Sequence, residues 1–172
     1  MSWPNQLAAP LSIKDGANQL AGWIGLWAKP KGGKCEVVQG LRHLWESIFM
    51  ASDAPRVLVC FNGETARGGF DEQDTLHRVD RQWAVVVIRG HGWKNLMPDE
   101  DETAAETFME TVEALRDRVR LIQTLSEEFP VNYKGAKPLP AVAKPDSANV
   151  FVDAYQLDFS SAADIPDVAQ QP

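Results

Sequence analysis

The chain is short of cysteine and histidine and has no long hydrophobic run. Its two cysteines, Cys35 and Cys60, form no Cys-x-x-Cys pattern. No disulfide framework is expected, and Cys60, inside an apolar run, reads as a small buried hydrophobe in a reducing compartment. No stretch approaches the length of a membrane-spanning helix. The opening residues, Met1-Ser-Trp-Pro-Asn-Gln, have neither the basic start nor the apolar centre of a signal peptide. The expectation is a soluble protein made in the cytosol, with no membrane partner. Basic residues are also scarce: 17 Lys and Arg stand against 24 Asp and Glu, a net charge of −7. A surface that acidic argues against affinity for the nucleic-acid backbone or for anionic membranes, although DNA can slide past it without sticking.

What the chain does have is one strongly marked strand. Asp80-Arg-Gln-Trp-Ala-Val-Val-Val-Ile-Arg-Gly90 is continuously apolar from Trp83 to Ile88, rich in β-branched residues and too short for a helix. It reads as a strand buried on both faces, central in a sheet and running over residues 76–90. A first strand is expected at residues 56–61 and a last, alternating one at residues 149–160. In the last strand Phe151, Tyr155, Leu157 and Phe159 face one way, and Val150, Val152, Ala154 and Gln156 the other.

Two main helices are expected. Residues 36–50 carry the stripe Val37, Val38, Leu41, Leu44, Trp45, Ile48 and Phe49, with His43 and Glu46 off it. Residues 99–125 carry the stripe Phe108, Val112, Leu115, Val119, Ile122 and Leu125. There Thr103-Ala-Ala-Glu106 matches a capping box, and Asp99 to Glu102 followed by Arg116, Arg118 and Arg120 complement the helix dipole. A calcium loop is the alternative for that acidic run, but its alternating Asp/Asn and Gly are missing. Residues 11–27 repeat Leu20, Trp23, Ile24 and Trp27 at helical spacing but contain Gly16, Gly22 and Gly25, so a short helix or an irregular segment is expected. Trp3, Trp23 and Trp27 read either as plugs for one end of the core or as a patch that meets another subunit.

The remaining segments read as connections. Lys29-Pro-Lys-Gly-Gly-Lys34 reads as a flexible connector, because its spacing is not that of a phosphate-binding loop. Residues 131–147, with Pro138, Pro140 and Pro145, read as an extended crossover without a core pattern. Residues 162–172 read as an acidic tail. The whole is an α+β plan: one domain over residues 1–172 with its core at about 36–160. A small, mostly antiparallel sheet packs on two main helices, with an extended N-terminal arm and long loops. A three-stranded sheet of this kind leaves an edge that arms or neighbouring subunits must protect.

Candidate functional residues cluster in the long connection over residues 62–75, where Asn62-Gly63 looks like a tight turn. Glu64, Arg67, Phe70, Asp71, Glu72 and Asp74 lie there, and a connection of that length is often functional or ordered by a partner. His91, between two glycines after the strand, and His77 are the candidate catalytic bases. Neither has a visible nucleophile or acid partner, so an ordinary loop histidine is the preferred reading of His91. No catalytic, cofactor-binding or metal-ligating constellation is apparent.

The element order, with Ala54-Pro-Arg-Val-Leu-Val, Arg81-Gln-Trp-Ala-Val-Val-Val-Ile and Phe151-Val-Asp-Ala-Tyr-Gln-Leu-Asp-Phe159, resembles bacteriophage tail terminator proteins and the related minor tail and neck (head–tail joining) proteins of long-tailed phages. The resemblance implies a structural virion protein without catalytic residues or cofactor, made in the host bacterial cytoplasm. It implies a homohexameric ring that caps the tail tube and meets the head–tail connector or neck protein, with DNA passing without specific binding. The alternatives are a small cytosolic hydrolase, using His91 or His77 with loop carboxylates, and a non-viral adaptor domain.

Overall fold

A computed structural model of the chain describes residues 12–38, 46, 56–66, 76–92, 98–121, 131–143 and 150–166. The fold is α+β. Two long helices, α1 (Ile13–Ala28) and α2 (Pro98–Arg120), lie against a five-stranded mixed sheet. Its strands are β1 (Lys34–Val37), β2 (Arg56–Ala66), β3 (Leu76–Gly92), β4 (Val131–Ala143) and β5 (Val150–Pro166), in the spatial order β1-β2-β3-β5-β4. β1 runs parallel to β2 and every other pair is antiparallel.

β3 is the middle strand, as its apolar run requires. Trp83, Val85 and Val87 bury on one face, and Ala84, Val86 and Ile88 on the other. The first face carries the larger core. Val57 and Val59 of β2, Leu157 and Phe159 of β5 and Val131 of β4 extend it sideways. Ala17, Leu20, Ala21 and Ile24 of α1 and Val112, Leu115 and Val119 of α2 close it from above. Each large aliphatic residue buried there contributes about 1.5–3 kcal/mol. The opposite face holds a smaller cluster of Leu58, Val86, Ile88 and Ala154, with Val38, Cys60 and Leu139 packed beside it.

α1 is a full helix despite its glycines. Ser12 caps it, its Oγ accepting from the Asp15 amide at 3.0 Å. Packing of the Ala17–Leu20–Ala21–Ile24 face outweighs the glycine penalty. Trp23 and Trp27 are half-buried against the core, consistent with plugs, while Trp3 lies outside the described residues. Trp23 also clasps α2. Its indole nitrogen donates to the Arg118 carbonyl at 2.7 Å, and the Arg118 guanidinium donates to the Trp23 carbonyl and lies 3.5 Å from the ring centre.

Several expectations change. Lys29-Pro-Lys-Gly-Gly-Lys34 is not a flexible connector but the stop of α1. A 3-10 turn at Lys29–Lys31 leads into Gly32 at φ 72°. The amides of Gly33 and Gly32 donate to the carbonyls of Ala28 and Lys29 at 3.1 Å each, a Schellman closure. Glu36 and Val37 belong to strand β1 rather than to the start of a helix. Glu46 is helical and exposed, and the rest of that stripe, with His43, lies outside the described residues. α2 starts at Pro98, so Thr103 is an interior residue and not a cap; proline's fixed φ suits the first turn. Residues 131–143 form β4, an edge strand where prolines are tolerated. β5 runs on to Pro166, so the first part of the expected tail is paired with β3.

The two-faced burial of β3 sets a direct test. Val86 is 2 % exposed, and an aspartate there places an unpaired charge in the core at a cost of several kcal/mol, comparable to the roughly 5–15 kcal/mol that hold a domain together. Val86→Asp is expected to lose cooperative thermal melting by circular dichroism. A melt like the parent's would show that β3 is not central.

Candidate functional site

The helix-side face of the sheet is built of rows that cross the strands. One row is Phe61–Trp83–Phe159–Tyr133, four aromatics in register on β2, β3, β5 and β4. Phe61 meets Trp83 edge-on at 5.5 Å, and Tyr133 meets Phe159 at 5.6 Å. The inner pair is buried, whereas Phe61 and Tyr133 are each 37 % exposed. The next row is polar: Glu64, Arg81 and Ser161, ending on Val131.

A bulge puts Glu64 there. The β2–β3 register shifts between Phe61 and Glu64, and Gly63 sits at φ 114°, a conformation that favours glycine. Without the extra residue, strand alternation would turn Glu64 to the opposite face. With it, Arg81 Nε donates to Glu64 Oε1 at 2.8 Å, the two side chains being 7 % and 27 % exposed. Beside them the Trp83 indole donates to Ser161 Oγ at 2.8 Å. The row therefore couples its charge and its indole N–H internally and pins the β2–β3–β5 register.

Of the residues expected to form a functional loop, Glu64 is brought into this row. It belongs to strand β2, because Asn62-Gly63 is a bulge and not a turn. Arg67, Phe70, Asp71, Glu72 and Asp74 lie outside the described residues. Arg81, the partner that fixes Glu64, is visible in the sequence only as a charge preceding the apolar run. Pairing the two needs the bulge, which an isolated glycine inside a strand pattern signals. His77 and His91 both lie on β3, opposite Ile165 and Phe151. His91 is thus a strand residue and not a loop one. Fourteen residues of extended chain separate the two histidines by about 46 Å, so they do not share a site.

Both thiols are half-buried, Cys60 less completely than its apolar run led one to expect, and they are held protonated. Burial, helped by the charge of Glu36, pushes Cys35 up to about 12, and burial pushes Cys60 up to about 11. Glu36 itself pairs with Arg56 across β1 and β2 at 2.5 Å. Among the described residues no group of three His, Cys, Asp or Glu side chains is placed to hold a metal ion. No protein-family model matches the chain, and no curated protein sequence matches it.

Two measurements follow from this geometry. Gly63→Ala forces a left-handed φ on an L-residue and is expected to cost about 1–3 kcal/mol, while Glu64→Gln, which removes the charge opposite Arg81, is expected to cost about 1–3 kcal/mol. Urea titration reads both, and parent-like midpoints would mean that the bulge and the ion pair do not hold the register. The thiols carry a pH dependence. Their folded values lie above the ordinary 9.0, so their contribution to stability is complete below pH 9 and is lost as pH rises toward 11 and 12. The melting temperature of the parent is expected to fall across that window more steeply than that of Cys35→Ala/Cys60→Ala. Parallel curves would contradict the burial of the thiols.

Proposed function

We propose that the chain is a structural subunit of a phage tail: a terminator that forms a ring, hexameric as in the family it resembles, caps the tail tube and joins it to the head connector. The observation that carries this reading is the length of the central ribbon. β3 and β5 pair without interruption over 17 residues each, from Leu76 opposite Pro166 to Gly92 opposite Val150. At about 3.3 Å per residue the ribbon is about 56 Å long. A compact domain of 172 residues has a radius of gyration of about 16 Å, or about 40 Å across. A ribbon longer than the domain's own core supplies surfaces that a lone subunit does not need and that neighbours in a ring can cover. The polar row at Glu64 and Arg81 is coupled internally, which suits a rigid scaffold. The net charge of −7 suits a channel wall past which DNA moves.

Light scattering on the purified chain tests the reading, repeated with isolated tail tubes present. A hexamer of the 19.0 kDa chain, or a ring seen at the tube end by electron microscopy, is the expected result. A monomer that leaves tubes uncapped and unbound would overturn it.

A further inference from the structure

Among the described residues the sheet leaves β4 at its edge, and an edge strand is in general a template for pairing with a passing strand. β4 is 13 residues long, ample for such pairing. Its sequence opposes it at several points. Pro138 and Pro140 have no amide proton to give a new ladder. The register with β5 shifts twice, between Tyr133 and Gly135 and between Leu139 and Val142, so the strand bends away from a flat template. Gly135 holds φ 155° at the first irregularity. Lys134 and Lys137 are exposed on the same stretch, and a strand laid alongside would have to bury their charge. Lys137 keeps its ammonium near Asp158 of β5, 3.8 Å away, and remains 57 % exposed. Ala136 and Pro138 are exposed too, so the strand's surface here is open.

We infer that β4 is a guard strand: its prolines, bulges and lysines close this sheet edge to backbone pairing and direct self-association of the subunit to other surfaces. The protection that a small sheet needs is thus built into the chain and does not wait for an arm or a neighbour. It holds whether or not the subunit builds a ring.

The test removes the proline and lysine guards, leaves the bulges in place, and then restores one lysine; the inference requires that the bulges alone do not close the edge. Lys134→Thr/Lys137→Thr/Pro138→Val/Pro140→Val is expected to gain mass beyond the parent's state in light scattering, rising with concentration, with a parent-like circular dichroism spectrum. Adding Ala136→Lys to that variant is expected to return the mass to the parent's. Ala136→Lys in the parent, a change at an exposed site, is expected to leave the association state unaltered. The inference is overturned if the folded four-site variant keeps the parent's mass, or if Ala136→Lys fails to reverse the gain. Should the four-site variant not fold, Lys134→Thr/Lys137→Thr alone decides: a gain of mass over the parent supports the guard, and a folded double variant with the parent's mass overturns it. A parent that is monomeric under all conditions would remove the ring reading while leaving the gain-of-association test intact.

Discussion

The structure depends on burying β3 on both faces. A strand whose successive side chains are all apolar cannot present either face to water, so something must cover each side. On one side α1 and α2 supply the cover, joined to each other by the clasp between Trp23 and Arg118. On the other, Val86 and Ile88 bury with Leu58 and Ala154. β2 and β5 flank β3 because their own apolar positions fall in register with it. β1 and β4 are left as edges, one very short and the other guarded.

Where the apolar rows end, the chain turns to polar coupling. The aromatic row Phe61–Trp83–Phe159–Tyr133 borders the row of Glu64, Arg81 and Ser161. An arginine that is 6 % exposed requires an opposite charge, and a single glycine bulge aims Glu64 at it. This explains how one strand can carry an apolar core and a buried charge on the same face. Rigidity fits the proposed role, since a ring subunit must hold its shape against its neighbours.

Much of this was legible in the residues. The run Trp83 to Ile88 identifies β3 as central, and the alternation around Leu157 and Phe159 identifies the faces of β5. Val112, Leu115 and Val119 mark the buried stripe of α2. What escaped did so for physical reasons. β1 has four residues, and Val37 and Val38 continue into the apolar spacing that follows, so a short strand reads as the start of a helix. β4 is an edge, where prolines and lysines are useful, and those are the residues that erase a strand signal. The ends of β3 and β5 carry His91, Gly92, Ala162 and Ala163, with weak strand preference, and are strands because they pair with each other. Glu64, expected in a loop, is a strand residue, and its partner Arg81 lies across a ladder whose register depends on one extra residue.

A central strand buried on both faces, a ribbon proposed to meet neighbours and an edge proposed to be closed to them make different demands on the backbone amides. Hydrogen exchange on the free chain and on the chain bound to tail tubes tests all three at once. Amides from Trp83 to Ile88 should exchange slowest in both states, by global unfolding alone. Amides at Leu76 to Asp80 and Ala162 to Ile165 should gain protection on binding, while those of Lys134 to Lys137 and Leu139 should not change. Protection gained along β4, with none at the ribbon ends, would contradict the account.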